Sequence, residues 1–283
     1  MASDVLKREL PKADQRITYG AGEFQFGDLW MPGLNGDRRA PVVVFLHGGW
    51  WKSLYGLEYG GHLCEALRHA GVATWSIEYR RVGDAGGGWP GTFLDVAAGF
   101  DFLSELGKTY AIDLTRVVVV GHSAGGHLAF WLAGRPHIPA ESVLATPSDV
   151  RVPIRTVIAL AGAVDLRLTM DLAGWFLFAH DKQEVLNLMG GAPKEFAERY
   201  RAGNPGELLP LKVPQILLQG TEDDQIPAGL PARWADRGRQ MGEKVEVEMI
   251  AGADHLDLVD PRSTAWGRVQ QRILGSLGLS ICE

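Results

Sequence analysis

Cysteine is nearly absent from this chain, with only Cys64 and Cys282 in 283 residues. Two thiols so far apart exclude a disulfide framework and have no metal-ligand spacing, so free thiols in a reducing compartment are expected. Long apolar runs are missing too. No stretch reaches the ~18 residues that a membrane-spanning helix needs. The opening MASDVLKRELPKADQRITYG lacks the apolar run of a secretory signal, so a cytoplasmic protein that does not engage a membrane is the expectation. Charge of one sign is nowhere concentrated, and the net charge is −6. That balance speaks against nucleic acid or an anionic membrane as the main partner. H-E-x-x-H does not occur and His and Asp do not cluster, so neither a metal nor another cofactor is expected. Internal repeats and low-complexity tracts are likewise missing.

What the chain does have is an alternation of strand-like and helix-like segments, the pattern of a sheet covered by helices. Phe24 to Met31 reads as an early strand, paired antiparallel with one near Arg16 to Tyr19. Val42 to Leu46, Val72 to Ile77, Arg116 to Gly121, Val157 to Leu160, Ile216 to Gln219 and Val245 to Ile250 read as later strands. The four consecutive valines of RVVVVG fit a strand at the centre of the sheet. Leu63, Ala66, Leu67 and Ala70 recur at helical spacing, and Gly71 closes that helix. Pro90, Gly91 and Thr92 open another, with Thr92 as N-cap. Asp260-Pro261 is expected to start a C-terminal helix whose Trp266, Val269, Ile273 and Leu277 face the sheet. Between Asp165 and Leu209 the strand rhythm stops. That segment reads as a small helical cap inserted into a single domain that spans residues 1–283.

The chemistry-bearing signal is Gly121-His122-Ser123-Ala124-Gly125, a match to G-x-S-x-G. In that pattern a tight turn between a strand and a helix lifts the serine hydroxyl above the sheet edge. Four valines precede it and GHLAFWLAG follows, as a strand–turn–helix context requires. A serine at its ordinary pKa is a poor nucleophile and needs a base. Of the eight histidines, His255 follows the last strand, where the order Ser…Asp…His puts it. His47 and His122 sit beside glycines and read as structural. The carboxylate that orients the base is expected after the penultimate strand, in GTEDDQIP. Asp223 is the choice there and Asp224 the runner-up. His47-Gly48-Gly49-Trp50 follows the third strand, so the backbone N–H groups of Gly49 and Trp50, with that of Ala124, are the expected oxyanion donors.

These three segments carry a resemblance. His47-Gly-Gly-Trp-Trp51, Gly121-His-Ser-Ala-Gly-Gly-His-Leu128 and Ala253-Asp-His255 resemble the kynurenine formamidase-like branch of the α/β hydrolases. That branch is similar to the hormone-sensitive-lipase-like esterases, which carry HGGG where this chain has HGGW. The resemblance spans roughly Tyr19 to Leu277. It implies an α/β-hydrolase fold with a mostly parallel eight-stranded sheet flanked by helices, and the triad Ser123, Asp223 and His255. It also implies metal-free hydrolysis of N-formyl-kynurenine to formate and kynurenine. One position departs: related formamidases often have Tyr where Trp50 stands.

Aromatic side chains near these segments suit a small aromatic amide or ester substrate through stacking. Trp51, Tyr55, Trp89, Trp175 and Phe176 are the expected contacts. A bulky Trp50 beside the oxyanion hole favours formyl or acetyl over long acyl chains. A general short-chain carboxylesterase is the first rival, and a xenobiotic ester, amide or carbamate would suit the same triad. A non-catalytic, ligand-binding hydrolase fold is the remote rival. Oligomeric state is left open, a homodimer included.

Overall fold

A computed structural model describes residues 4–34, 36, 38–145, 152–173 and 179–280. The strands among them are β1 (Gln15–Thr18), β2 (Phe26–Trp30), β3 (Ala40–Leu46), β4 (Ala73–Ile77), β5 (Ile112–His122), β6 (Thr156–Leu160), β7 (Gln215–Gly220) and β8 (Val245–Ile250). They form one eight-stranded sheet in the order β1-β2-β4-β3-β5-β6-β7-β8. β2 runs antiparallel to both its neighbours, and β3 to β8 pair in parallel. This is the α/β-hydrolase architecture.

The helices are α1 (Gly61–His69), α2 (Gly91–Asp101), α3 (Leu103–Thr109), α4 (Ala124–Gly134), α5 (Leu166–Ala173), α6 (Ala179–Met189), α7 (Ala197–Gly203), α8 (Gly229–Gln240) and α9 (Trp266–Ser276). No helix of the described residues is long and apolar enough to cross a membrane.

Two cores follow from the period of a strand. Successive side chains point to opposite faces, so a run of apolar residues feeds both sides of the sheet. In β5, Val117 and Val119 join one core and Val118 and Val120 the other. In β3, Val42, Val44 and Leu46 face the first and Val43 and Phe45 the second. The first core is closed by α2, α4 and α8 through Phe93, Val96, Leu128, Phe130 and Trp234. The second is closed by α1 and α9 through Leu63, Leu67, Val269 and Ile273. Each buried Val, Leu, Ile or Phe contributes about 1.5–3 kcal/mol relative to exposure.

Two boundaries differ from the sequence reading. The C-terminal helix begins at Trp266, not at Asp260-Pro261. Asp260 spends its carboxylate locally, accepting the Arg262 N–H at 2.9 Å, and it also pairs with Arg8. Such a side chain competes with helix formation. Thr92 lies inside α2 rather than capping it. Its hydroxyl accepts the Gly88 N–H at 3.0 Å and donates to the Arg80 carbonyl at 2.5 Å.

The order of connections positions the site. The chain leaves β3 toward β4 on one side and leaves β5 toward β6 on the other. The carboxyl ends of β3 and β5 are therefore a topological switch point, where open α/β sheets leave a crevice for ligands. HGGWW and GHSAG are the segments that emerge there.

Candidate active site

Ser123 sits on the turn between β5 and α4 with φ 54° and ψ −122°. A non-glycine residue held there stores about 1–3 kcal/mol of backbone strain. Three backbone bonds hold it: Ser123 N–H to the Leu160 carbonyl at 2.9 Å, and Gly126 and Ala163 N–H to the Ser123 carbonyl at 2.9 and 3.1 Å. The flanking glycines are required by close approach. A Cβ on Gly121 would lie 2.0 Å from the Gly125 carbonyl oxygen, and one on Gly125 would lie 2.0 Å from that of Leu46.

His255 and Asp223 meet at the carboxyl ends of β8 and β7. His255 Nδ1 lies 2.9 Å from Asp223 Oδ2. The Asp223 side chain is only 1% exposed, so its carboxylate needs partners. It has them: Gln219 Nε2 donates to Oδ2 at 2.8 Å, and the Gln225 and Ile226 N–H groups donate to Oδ1 at 2.8 and 3.0 Å. Burial by itself would raise this carboxyl's pKa. The hydrogen bond and charge of His255, with the two N–H donors, outweigh it and hold the group below the ordinary aspartate value. A carboxylate against Nδ1 fixes the ring proton there and leaves Nε2 as the basic nitrogen. Asp224 takes no part in this, since its Oδ1 accepts from Gln225 Nε2 at 2.9 Å. Asp254, adjacent in sequence, accepts the Leu256 and Asp257 N–H groups, both at 2.9 Å.

The loop after β3 takes an unusual backbone course. Gly49, Trp50 and Trp51 all have positive φ, at 94°, 55° and 56°. The turn is closed by Lys52 N–H on the Gly49 carbonyl at 3.0 Å. Gly49 and Trp50 of this turn line the cavity that also holds Ser123. Ala124 is the first residue of α4, where N–H groups have no partner within the helix. The left-handed region costs a bulky residue about 1–2 kcal/mol, and neighbouring contacts hold the loop in it. His47 is fully buried, with Nε2 2.9 Å from Glu78 Oε1. Trp51 is also fully buried, and Lys52 pairs with Glu184 of α6 at 2.5 Å.

A cavity of about 360 Å³ opens between these segments. Gly49, Trp50, Ser123 and His255 all line it. Its wall also holds the carboxyl-bearing Glu222, Asp224 and Asp254, and no Lys or Arg among the described residues. The arrangement joins a buried serine on a strained turn with an imidazole oriented by a buried carboxylate, a nucleophile and a base of the kind acyl transfer uses.

The BD-FAE family model matches residues 28–231. The chain belongs to the BD-FAE family. That match takes in Ser123 and Asp223 and ends before His255. Among curated proteins, the chain is 26% identical over 253 residues to the isoprenylcysteine alpha-carbonyl methylesterase ICME of Arabidopsis thaliana, covering 86% of this chain and 56% of that protein. It therefore spans just over half the length of that relative. It is 22% identical to the kynurenine formamidase of Salmo salar, covering 96% of this chain and 85% of that protein. Among solved structures, esterase B from Lactobacillus rhamnosis superposes with a TM-score of 0.80 at 19% identity, covering 96% of this chain and 89% of that one. These likenesses support the α/β-hydrolase superfamily and its esterases; they do not single out the formamidase branch.

Within this BD-FAE member, the expected substrate contacts divide. Tyr55 lines the Ser123 cavity. Trp51 does not: it is fully buried, edge-on to His127 at 5.3 Å, and packs the loop rather than facing substrate. Trp89 is also away from the cavity, against Phe93 at 5.5 Å and beside a separate hollow bounded by Pro139 and Arg199. Trp175 and Phe176, with Phe178, lie outside the described residues. Between Asp165 and Leu209 the described residues include α5, α6 and α7, and none of the described residues there lines the cavity. The wall instead recruits Leu6, Tyr59, His122 and Leu256, which sequence reasoning missed. No local pattern marks Leu6 or Tyr59. His122, inside the motif itself, could have been found from its place next to Ser123.

Proposed function

We propose that this chain is a serine hydrolase that cleaves short-acyl esters through an acyl-enzyme. Ser123 is the nucleophile, His255 the general base and acid, and Asp223 the group that orients it. The N–H groups of Gly49, Trp50 and Ala124 receive the oxyanion. The observation that carries this reading is the meeting, in one cavity, of Ser123 on its strained turn and His255 bonded to buried Asp223. Ser123 Oγ attacks the acyl carbon while His255 Nε2 takes its proton. The oxyanion rests on backbone donors, and His255 returns the proton to the departing alkoxide. Water, activated by the same nitrogen, releases the acid and regenerates Ser123. The name of the methylesterase relative supports ester hydrolysis and leaves acyl length open.

Aryl formamides such as N-formyl-kynurenine are the second reading. Trp50 and Tyr55 in the cavity wall favour it, since they offer flat surfaces to an aromatic leaving group. The amino-acid end of this formamide is a zwitterion, so Glu222, Asp224 and Asp254 could pair its α-ammonium, while no Lys or Arg among the described lining residues meets its carboxylate. The test is kcat/KM for p-nitrophenyl acetate beside N-formyl-kynurenine, with Ser123→Ala as control. The ester reading predicts that the acetate wins and that Ser123→Ala abolishes turnover. Formyl-kynurenine winning by orders of magnitude would replace it with the formamidase reading.

A further inference from the structure

The cavity wall contains a partly buried polar chain that the mechanism above does not use. Gly48 N–H donates to Tyr59 Oη at 3.0 Å. Tyr59 Oη in turn bonds His122 Nδ1. His122 Nε2 lies 2.9 Å from the carbonyl oxygen of His255. An amide N–H stands at one end and a carbonyl at the other, so every proton in the chain has one direction. Tyr59 donates to Nδ1, and His122 carries its proton on Nε2, where it donates to His255. Burial, with the nearby His255, pushes the His122 pKa down to about 3, so the ring stays neutral with a single proton at working pH. The His122 ring also packs against the His255 ring, with centroids 4.5 Å apart.

The two ends of this chain are the two loops that must be in register for acyl transfer. Gly48 precedes the expected oxyanion donors, and His255 is the expected base. A Cβ on Gly48 would lie 2.8 Å from each of Tyr59 Oη, the His122 carbonyl oxygen and Ser123 Cβ, so the three segments touch with no room to spare. We propose that Tyr59 and His122 are positioning residues that tie the oxyanion loop to the His255 loop across the nucleophile turn, holding base and oxyanion donors at a fixed spacing. This rests on the hydrolase reading above. Loss of Tyr59 Oη leaves Nδ1 and the Gly48 N–H unpaired. It also frees the imidazole to adopt the other tautomer, which would set a lone pair against the His255 carbonyl.

The test is steady-state hydrolysis of p-nitrophenyl acetate by Tyr59→Phe, His122→Gln and His122→Asn, with Ser123→Ala in parallel and thermal melts to confirm folding. A displacement of about 1 Å at a reacting group costs on the order of 100-fold. Tyr59→Phe is expected to lose about 10- to 100-fold in kcat with KM within about twofold. Gln can present an N–H where His122 Nε2 stands, and Asn cannot reach the His255 carbonyl, so His122→Gln should retain more kcat than His122→Asn. A folded Tyr59→Phe with near wild-type kcat, a KM that rises in step, or His122→Asn matching His122→Gln would overturn the proposal. If Tyr59→Phe does not fold, the Gln and Asn pair decides alone. Activity surviving in Ser123→Ala would instead sink the hydrolase reading itself, a separate result.

Discussion

At the scale of single residues, the clearest distinction is between two neighbouring acids. Asp223 is buried, accepts from Gln219, Gln225 and Ile226, and faces His255; Asp224 bonds the adjacent Gln225 side chain. Asp223→Asn would present an amide to Nδ1, favour the wrong tautomer and lower kcat by about 10⁴-fold. Asp224→Asn should stay within about threefold of wild type, and pre-steady-state acylation rates would tell the two apart. The sequence pointed to this loop because the order Ser…Asp…His places an acid after the penultimate strand. It favoured Asp223 and kept Asp224 as the runner-up, because which side chain turns inward is decided by the fold and not by the order of acids. Trp50 makes a second case. It was expected to narrow the acyl pocket, and it does line the cavity. Trp50→Ala should raise kcat/KM for octanoate relative to acetate esters by about tenfold or more, in line with what a few methylenes of pocket space are worth. An unchanged chain-length profile would show that Trp50 does not bound the acyl pocket.

At the scale of elements, legibility followed burial. Strands with continuous valine or isoleucine runs were readable because a doubly covered parallel strand admits little else. α4 was readable for the same reason, and every one of its residues is buried. Elements set by local polar competition were not: Asp260 holds its own turn and delays α9, and Thr92 bonds Gly88 and Arg80 from inside α2. Trp51 and Trp89 were misread because an aromatic near a motif in sequence can point into the core as readily as into a cleft. α4 also carries a stability prediction. Phe130 is fully buried against Trp234 of α8, ring centroids 5.4 Å apart. Phe130→Ala should cost about 3–5 kcal/mol, read as a lower urea midpoint at unchanged slope.

At the scale of the whole molecule, the sheet order makes the site by bringing together chain segments far apart in sequence. Leu6, Tyr59, Ser123 and His255 share one cavity. Motifs announced the last two, and only the folded topology could announce the first two. Burial on this scale also fixes how stability depends on pH. His122 and His127 are both buried, and burial lowers their pKa values to about 3 and about 4 from an unfolded value of 6.5. A depressed folded pKa means the unfolded chain binds protons first as pH falls. Their contribution is full above pH 6.5 and is lost progressively below it. Tm should therefore drop between pH 7.5 and 5, and His127→Gln should flatten that drop; a Tm that holds steady over the range would contradict this.

Every step of the proposed hydrolysis needs Ser123 as the nucleophile, and intact mass after treatment with a small alkyl phosphonate ester reads that directly. The expected result is one adduct per chain, mapped by peptide digestion to Ser123 and absent from Ser123→Ala. A folded protein that takes up no adduct, or takes it up equally in Ser123→Ala, would remove Ser123 as the nucleophile.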